Sequence, residues 1–250
     1  MRAALVVHKV AEDVESNLQA MRHEAEQAAA EGADLVLFPE AALTGLVNNG
    51  DPAHDLPLGR SIPGPATEAL AATTRELSIF LAAGLLERKG GRLYDSAVLL
   101  GPDGRLVLKY RRIQPQWHGR AADPQVYYEG PHVRVAHTWL GTLAFLICGD
   151  LFDDGIVARA RCKRPDYLLL PFARSFADGS FDQAGWEREE EAAYAARAAL
   201  TGCTVLMVNA LEDPRLNRWP SFGGALVVSP QGAVLARHRL GSAGIVCADV

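Results

Sequence analysis

Thr142-Leu-Ala-Phe-Leu-Ile-Cys-Gly-Asp150 is the stretch on which the reading of this chain turns. An unbroken apolar run, Leu143 to Ile147, has the length of a fully buried strand rather than of a helix. Cys148 stands at its carboxyl end, and Gly149-Asp150 mark the chain turning out of the sheet. Ligand sites in α/β sheets gather at that end, so Cys148 is a candidate nucleophile. The competing reading is a small apolar core residue, since free cysteines are among the most buried side chains. Asp150 is suited to hold such a turn by accepting backbone amides, and Gly149 places its own amide where a carbonyl oxygen could be received.

Working outward, strands and helices alternate on both sides of this segment. Ala3–His8 reads as a strand, and Val14, Leu18, Met21, Ala25 and Ala28 recur at helical spacing until Gly32 stops the helix. Ala33–Phe38 is a buried strand closed by Pro39, 66–77 a helix, and Ile79–Leu86 another strand. Ser96–Leu100 and Arg105–Tyr110 pair around the turn Gly101-Pro102-Asp103-Gly104, which makes the sheet mixed. After the Gln114–Gly130 loop come strands at His132–Val135 and 142–147, a short helix at 154–161, a strand at 167–170 and a long helix over 182–200. Strands follow at 204–208, 224–228, 233–236 and 243–248. Helices interspersed among so many strands predict two mixed sheets stacked on each other with helices outside, a four-layer α-β-β-α sandwich, in one domain spanning 1–250.

Composition narrows the function classes. The chain has 250 residues, 25 Lys+Arg against 30 Asp+Glu, a net charge of −5, and 49% hydrophobic residues, which describes an ordinary globular protein. Its basic clusters, Arg111-Arg112 and Arg161-Cys-Lys-Arg164 among them, are too short to neutralise a phosphate backbone, so nucleic acid is not an expected partner. The longest apolar run, Ile79–Leu86, is too short to cross a bilayer, and Met1-Arg2 does not open a signal peptide; a cytoplasmic location without membrane contact is expected. Cys148, Cys162, Cys203 and Cys247 form no Cys-x-x-Cys pair, which argues for free thiols and against a metal.

Two further polar groups sit just past buried strands. Glu40 follows Ala33–Phe38 and Pro39, and Lys109, Arg111 and Arg112 follow Arg105–Leu108. A solvated glutamate and a surface charge run are the plainer explanations when each is taken alone. Together, Phe38-Pro-Glu40 with Thr44-Gly45, Gly104-Arg-Leu-Val-Leu-Lys-Tyr-Arg-Arg112 and Leu146-Ile-Cys-Gly-Asp150 resemble, in order and spacing, the glutamate, lysine and cysteine blocks of the nitrilase, or carbon–nitrogen hydrolase, superfamily. Asp13-Val-Glu-Ser-Asn17, Arg197-Ala198 before Val205–Asn209, and Gly223–Gly232 also look like that family's pattern.

The resemblance implies the sandwich fold, no cofactor, a homodimer, and hydrolysis of a small amide or nitrile. Glu40 would be the general base and Cys148 the nucleophile of a thioester route, because the thiolate is the competent form. It also exposes a departure. The family lysine follows a Tyr-Arg pair, and here Tyr110-Arg111 is followed by Arg112. With a strand period of two, Arg112 shares a face with Leu106, Leu108 and Tyr110, while Lys109 and Arg111 face the other way. Arg112 is the expected cation; Lys109, re-aimed by a bulge, is the alternate. Either hydrolysis proceeds with a guanidinium, which cannot surrender a proton, or the protein has become a ligand-binding or regulatory subunit. The family's second glutamate has no clean match, leaving Asp123 and Glu129 as alternates. Trp117, Tyr127, Phe152, Phe172 and Arg174 are candidate pocket residues, and Arg174 with Arg120 hints at a carboxylate-bearing substrate.

Overall fold

The computed structural model describes residues 1–119, 121–215 and 219–250; Arg120 therefore lies outside the described residues. Twelve strands among them form two six-stranded sheets. The first holds, in spatial order, β12 (Gly244–Asp249), β1 (Arg2–Val7), β2 (Leu35–Leu37), β3 (Phe80–Lys89), β4 (Arg92–Leu100) and β5 (Leu106–Arg111). The second holds β11 (Val234–Leu240), β10 (Gly223–Val228), β9 (Thr204–Asn209), β8 (Tyr167–Phe172), β7 (Gly141–Phe145) and β6 (Val135–Thr138). Strands β1 to β3 and β7 to β9 pair in parallel and the outer pairs are antiparallel, so both sheets are mixed.

Alternation along each strand sorts the side chains into layers. Leu5, Leu37, Ala97, Leu99, Leu108 and Tyr110 of the first sheet join Phe145, Leu169 and Leu206 of the second in one buried cluster. The opposite face of the first sheet, with Val6, Val36, Leu81 and Val98, packs on helices α1 (Val14–Ala30) and α3 (Pro65–Leu77). Met21, Ala25 and Ala28 of α1 are the inward stripe, and the helix begins where Asp13 accepts the Ser16 amide at 2.8 Å. Between α1 and α3 runs the one-turn helix α2 (Pro52–Asp55). Helices α4 (Asp154–Cys162) and α6 (Glu191–Ala199) cover the second sheet with Ile156, Ala160, Tyr194 and Ala198. The four-layer α-β-β-α arrangement is the one the family resemblance implies and the strand count permits.

The differences from the sequence reading are local. Strands β3 and β4 run on to Lys89 and back from Arg92, joined by Gly90-Gly91, both with positive φ, in a two-residue hairpin. Charged Glu87-Arg88-Lys89 concealed that extension, although Glu87 is in fact buried. Strand β6 lies at Val135–Thr138, three residues later than 132–135, because it forms a tight hairpin with β7. The helix expected over 182–200 begins as α5 (Gln183–Gly185), passes through a π turn at Trp186–Glu190 and only then becomes α6. The carboxyl ends of β2, β5, β7 and β8 deliver Glu40, Arg112, Cys148 and Arg174 to one region.

Candidate active site

The Cys148 turn is built under strain. After Ile147 the chain enters a 3₁₀ turn, Cys148–Phe152, and Cys148 itself has φ of 47°, a left-handed conformation that costs a side-chain-bearing residue about 1–3 kcal/mol. Asp150 holds the turn in place. Its Oδ2 accepts from the Ile147 amide at 3.1 Å and the Tyr110 hydroxyl at 2.7 Å, and its Oδ1 from the amides of Ile113 at 3.1 Å and Gln114 at 2.8 Å. The turn residue foreseen in the sequence thus does more than cap its own loop: it bolts the end of β7 to the end of β5 across the two sheets.

Arg112 emerges from that bolted end on the same side as Leu108 and Tyr110, with 4% of its side chain exposed. Its Nη1 donates to Glu40 Oε1 at 2.9 Å and lies 3.6 Å from Asp95 Oδ2, and its Nη2 donates to Gln114 Oε1 at 3.1 Å. Gly149 faces the same Nη2 so closely that a Cβ there would stand 2.7 Å from it. Glu40 is fully buried behind this guanidinium. Its loop crosses β3 at Gly84, where a Cβ would come within 2.5 Å of the Ala41 amide and 2.7 Å of the Glu40 Cα, so only glycine lets the carboxylate sit this deep.

Charge in this dry setting sets the resting state. Burial first, and then the Glu40 charge, push the Cys148 thiol up to about 12, with Arg112 pulling the other way. Burial works against the Arg112 cation, but the surrounding acids, Glu40 and Asp95 among them, overcome it and hold the guanidinium protonated. The thiol therefore needs a base to ionise, and Glu40, the carboxylate Arg112 holds, is the one whose charge bears on it most.

Cys148, Gly149 and Arg112 open onto a cavity of about 810 Å³, walled by Gln114, Phe152, Arg174, Glu190 and Tyr194 among others. Access is therefore from the Cys148 side, while Glu40 and Asp95 lie behind Arg112. A thiol, a buried carboxylate and a fixed cation beside a small-molecule cavity are the groups that acyl transfer through a thioester would call on. The carbon–nitrogen hydrolase family model matches residues 2–250.

The chain belongs to the carbon–nitrogen hydrolase family.

This hydrolase is 27% identical to an aliphatic nitrilase from Sinorhizobium fredii, covering 100% of the chain and 86% of that relative. It is 26% identical to an omega-amidase from Xenopus tropicalis, over 94% of the chain and 83% of the relative. Among solved structures it superposes on an amidase from Nesterenkonia sp. AN1, carrying acrylamide added at the active-site cysteine, with a TM-score of 0.82 at 23% identity, covering 100% of this chain and 93% of that one. A carbon–nitrogen hydrolase from Helicobacter pylori gives a TM-score of 0.84 at 19% identity, covering 99% and 88%. These two structural likenesses establish the fold.

The residues singled out in the sequence divide by position. Glu40, Arg112 and Cys148 come together, with Gly149 and Asp150 in the turn. Lys109 does not take the cation's place: on the far face of β5 it pairs with the buried Glu87 at 2.7 Å, which also receives Arg111 at 2.6 Å and the Ser96 hydroxyl at 2.9 Å. Asp123 caps its own turn through the Gln125 amide, and Glu129 pairs with His118 at 3.0 Å; neither lines the cavity. Trp117 and Tyr127 also miss it, packing with Leu86 and Leu93 in a separate cluster where the Tyr127 hydroxyl is bound by Asp55. Phe152 and Arg174 line the wall as expected, whereas Phe172 sits behind Tyr194 rather than on the surface of the cavity. Arg174 is already engaged by Glu190 at 3.0 Å and by the Ser175 carbonyl, which weakens its case as a free carboxylate receptor. The sequence reading missed Gln114, Tyr194, Glu190 and Asp95. Glu190 and Tyr194 project from the π turn and α6, and a π turn leaves no mark in apolar spacing.

Proposed function

We propose that this hydrolase cleaves the C–N bond of a small amide through a thioester on Cys148, with Glu40 as general base and Arg112 as the cation that stabilises developing negative charge. The observation that carries the reading is the 2.9 Å bond between Arg112 and Glu40, made directly behind the cavity onto which Cys148 opens. Glu40 takes the thiol proton as the sulfur attacks the carbonyl carbon. The carbonyl oxygen becomes an oxyanion, facing Arg112 Nη2 and the Gly149 amide, and such preorganised donors are worth about 3–4 kcal/mol in comparable acyl transfers. Collapse breaks the C–N bond, and the proton held on Glu40 leaves with the amine or ammonia. Water enters, Glu40 takes one of its protons, and hydroxide attack on the thioester releases the carboxylic acid and restores the thiol.

One observation favours a second reading, in which the fold binds a ligand without turning it over: Glu40 is bonded to a guanidinium that cannot surrender a proton, where the family's pattern has a lysine. Incubation with iodoacetamide and with a panel of short aliphatic amides separates the two. Selective Cys148 alkylation plus ammonia release supports the hydrolase; an inert Cys148 and no ammonia support the binder. The family resemblance further supports a cofactor-free homodimer acting as one catalytic domain, and light scattering tests the dimer.

A further inference from the structure

Asp95 is a buried acid that the mechanism above leaves without work. It lies on β4 as the cross-strand neighbour of Arg112, whose backbone amide donates to the Asp95 carbonyl at 2.8 Å. Its side chain is fully buried and faces the space between the sheets, with Ala97 and Leu99 two and four residues on. Asp95 Oδ2 and Glu40 Oε1 converge on the same Nη1 of Arg112, at 3.6 and 2.9 Å. Three oxygens remain: Glu40 Oε2 and both oxygens of Asp95 are buried with no donor to receive. Two carboxylates in that state would divide one cation and leave those oxygens bare, a cost on the order of 1–3 kcal/mol for each unsatisfied group.

The charged and titratable groups facing Asp95 are Glu40 from the loop after β2, Arg112 from the end of β5, and Cys148 and Asp150 from the turn after β7. Asp150 is already satisfied by four donors, and Glu87 with Lys109 and Arg111 occupies the opposite face of the sheet. The one other unpartnered donor on these groups, Arg112 Nε, makes no hydrogen bond to either acid, so a proton on one of the carboxyls is what supplies the missing donor. We propose that Asp95 is a positioning residue that carries this proton and gives it in a hydrogen bond to Glu40 Oε2, so that the two acids share a single negative charge against Arg112. The direction of its titration agrees: burial first, and then the charge of Glu40, raise the Asp95 carboxyl well above the usual carboxylate range.

The pairing has a kinetic consequence, which rests on the hydrolase reading. With Asp95 neutral, Glu40 is oriented from both sides and the guanidinium keeps charge to spare for an oxyanion. When Asp95 ionises, a second anion loads Arg112 and opposes ionisation of Cys148, so turnover falls on the alkaline side.

The test compares wild type with Asp95→Asn, whose amide donates permanently. Wild-type ammonia release is expected to fall about tenfold per pH unit above the Asp95 transition, while D95N loses that alkaline limb. Infrared spectra of wild-type protein labelled with ¹³C-aspartate should show a protonated carboxyl band at neutral pH that shifts with the label and is absent from D95N. The labelled wild type needs no variant to fold. Superimposable pH profiles, or no such band, overturn the proposal. A band present in a protein that releases no ammonia upholds the shared proton and removes the hydrolase reading instead.

Discussion

Arg112→Lys is the substitution on which the reasoning is most exposed. The guanidinium reaches two acceptors with two nitrogens, Glu40 at 2.9 Å through Nη1 and Gln114 at 3.1 Å through Nη2. A lysine keeps the charge and has three donors, but all three sit on one nitrogen of a shorter head group. It cannot reproduce the two-nitrogen fork that serves Glu40 and Gln114 separately, and one of the two bonds is expected to be lost or lengthened. A lost hydrogen bond to a charged group is worth about 1.5–3 kcal/mol. At about 1.4 kcal/mol per decade of rate, that is roughly one to two decades in kcat/KM if the bond serves the transition state. The assay is ammonia release from the best amide of the panel, run beside iodoacetamide labelling of Cys148 to confirm that the thiol is still reachable. Arg112→Met provides the lower bound, since it removes the cation and leaves the Glu40 charge buried without its counter-ion, a loss that also costs about 3–5 kcal/mol of stability. An R112K enzyme as fast as wild type, or faster, refutes the argument: the guanidinium would then be a damaged substitute for an ammonium rather than a fork with its own geometry.

Glu40→Gln should move two rates in opposite directions: amide hydrolysis falls by about 10²- to 10⁴-fold for want of the base, while alkaline iodoacetamide labelling of Cys148 speeds up, because Glu40 is one of the causes holding that thiol near 12. Unchanged labelling would mean the two groups are not coupled. Gly84→Ala should fold yet lose at least about 10²-fold in kcat, since the new Cβ would stand 2.5 Å from the Ala41 amide and displace Glu40; full activity would show the Glu40 loop to be adjustable. Tyr110→Phe removes the 2.7 Å bond to buried Asp150 and should cost about 1.5–3 kcal/mol in thermal or denaturant unfolding, a loss that a Tm equal to wild type would contradict.

The layers and the three central residues were legible because they depend on parity and run length. Apolar runs ending in Pro39-Glu40 and Cys148-Gly149 place those side chains at strand ends whatever the details of the turns. Counting by twos along β5 separated Arg112 from Lys109 correctly, since a pleated strand allows no other division. Asp95 was lost for a related reason: the strand was started at Ser96, which consigned the acid before it to a loop. Even with the strand extended, the turn at 101–104 taken alone pairs Leu100 with Arg105 and sets Asp95 opposite Tyr110. In the structure Leu100 pairs with Leu106, one residue on, and the irregularity between Leu99 and Leu100 adds a second step that brings Asp95 to Arg112. Such shifts are not written in composition. The pocket wall was least legible, because Trp117 and Tyr127 are as aromatic as Phe152 and Tyr194, and only the path of the 114–130 loop decides which of them meet the cavity.

Glu87, on the face of the sheet turned away from the cavity, gives β5 a safeguard during assembly. By gathering Lys109 and Arg111 of β5 with Ser96 of β4 on the outer side of the sheet, it makes a one-residue slip of β5 self-defeating. Slipped by one, the strand would carry two cations into the hydrocarbon between the sheets and strand an orphaned glutamate outside, while Leu108 and Tyr110 turned to the wrong layer. A misthreaded strand would thus be expelled before it could settle, so the same charges that do no chemistry ensure that every finished molecule presents its guanidinium to the sulfur.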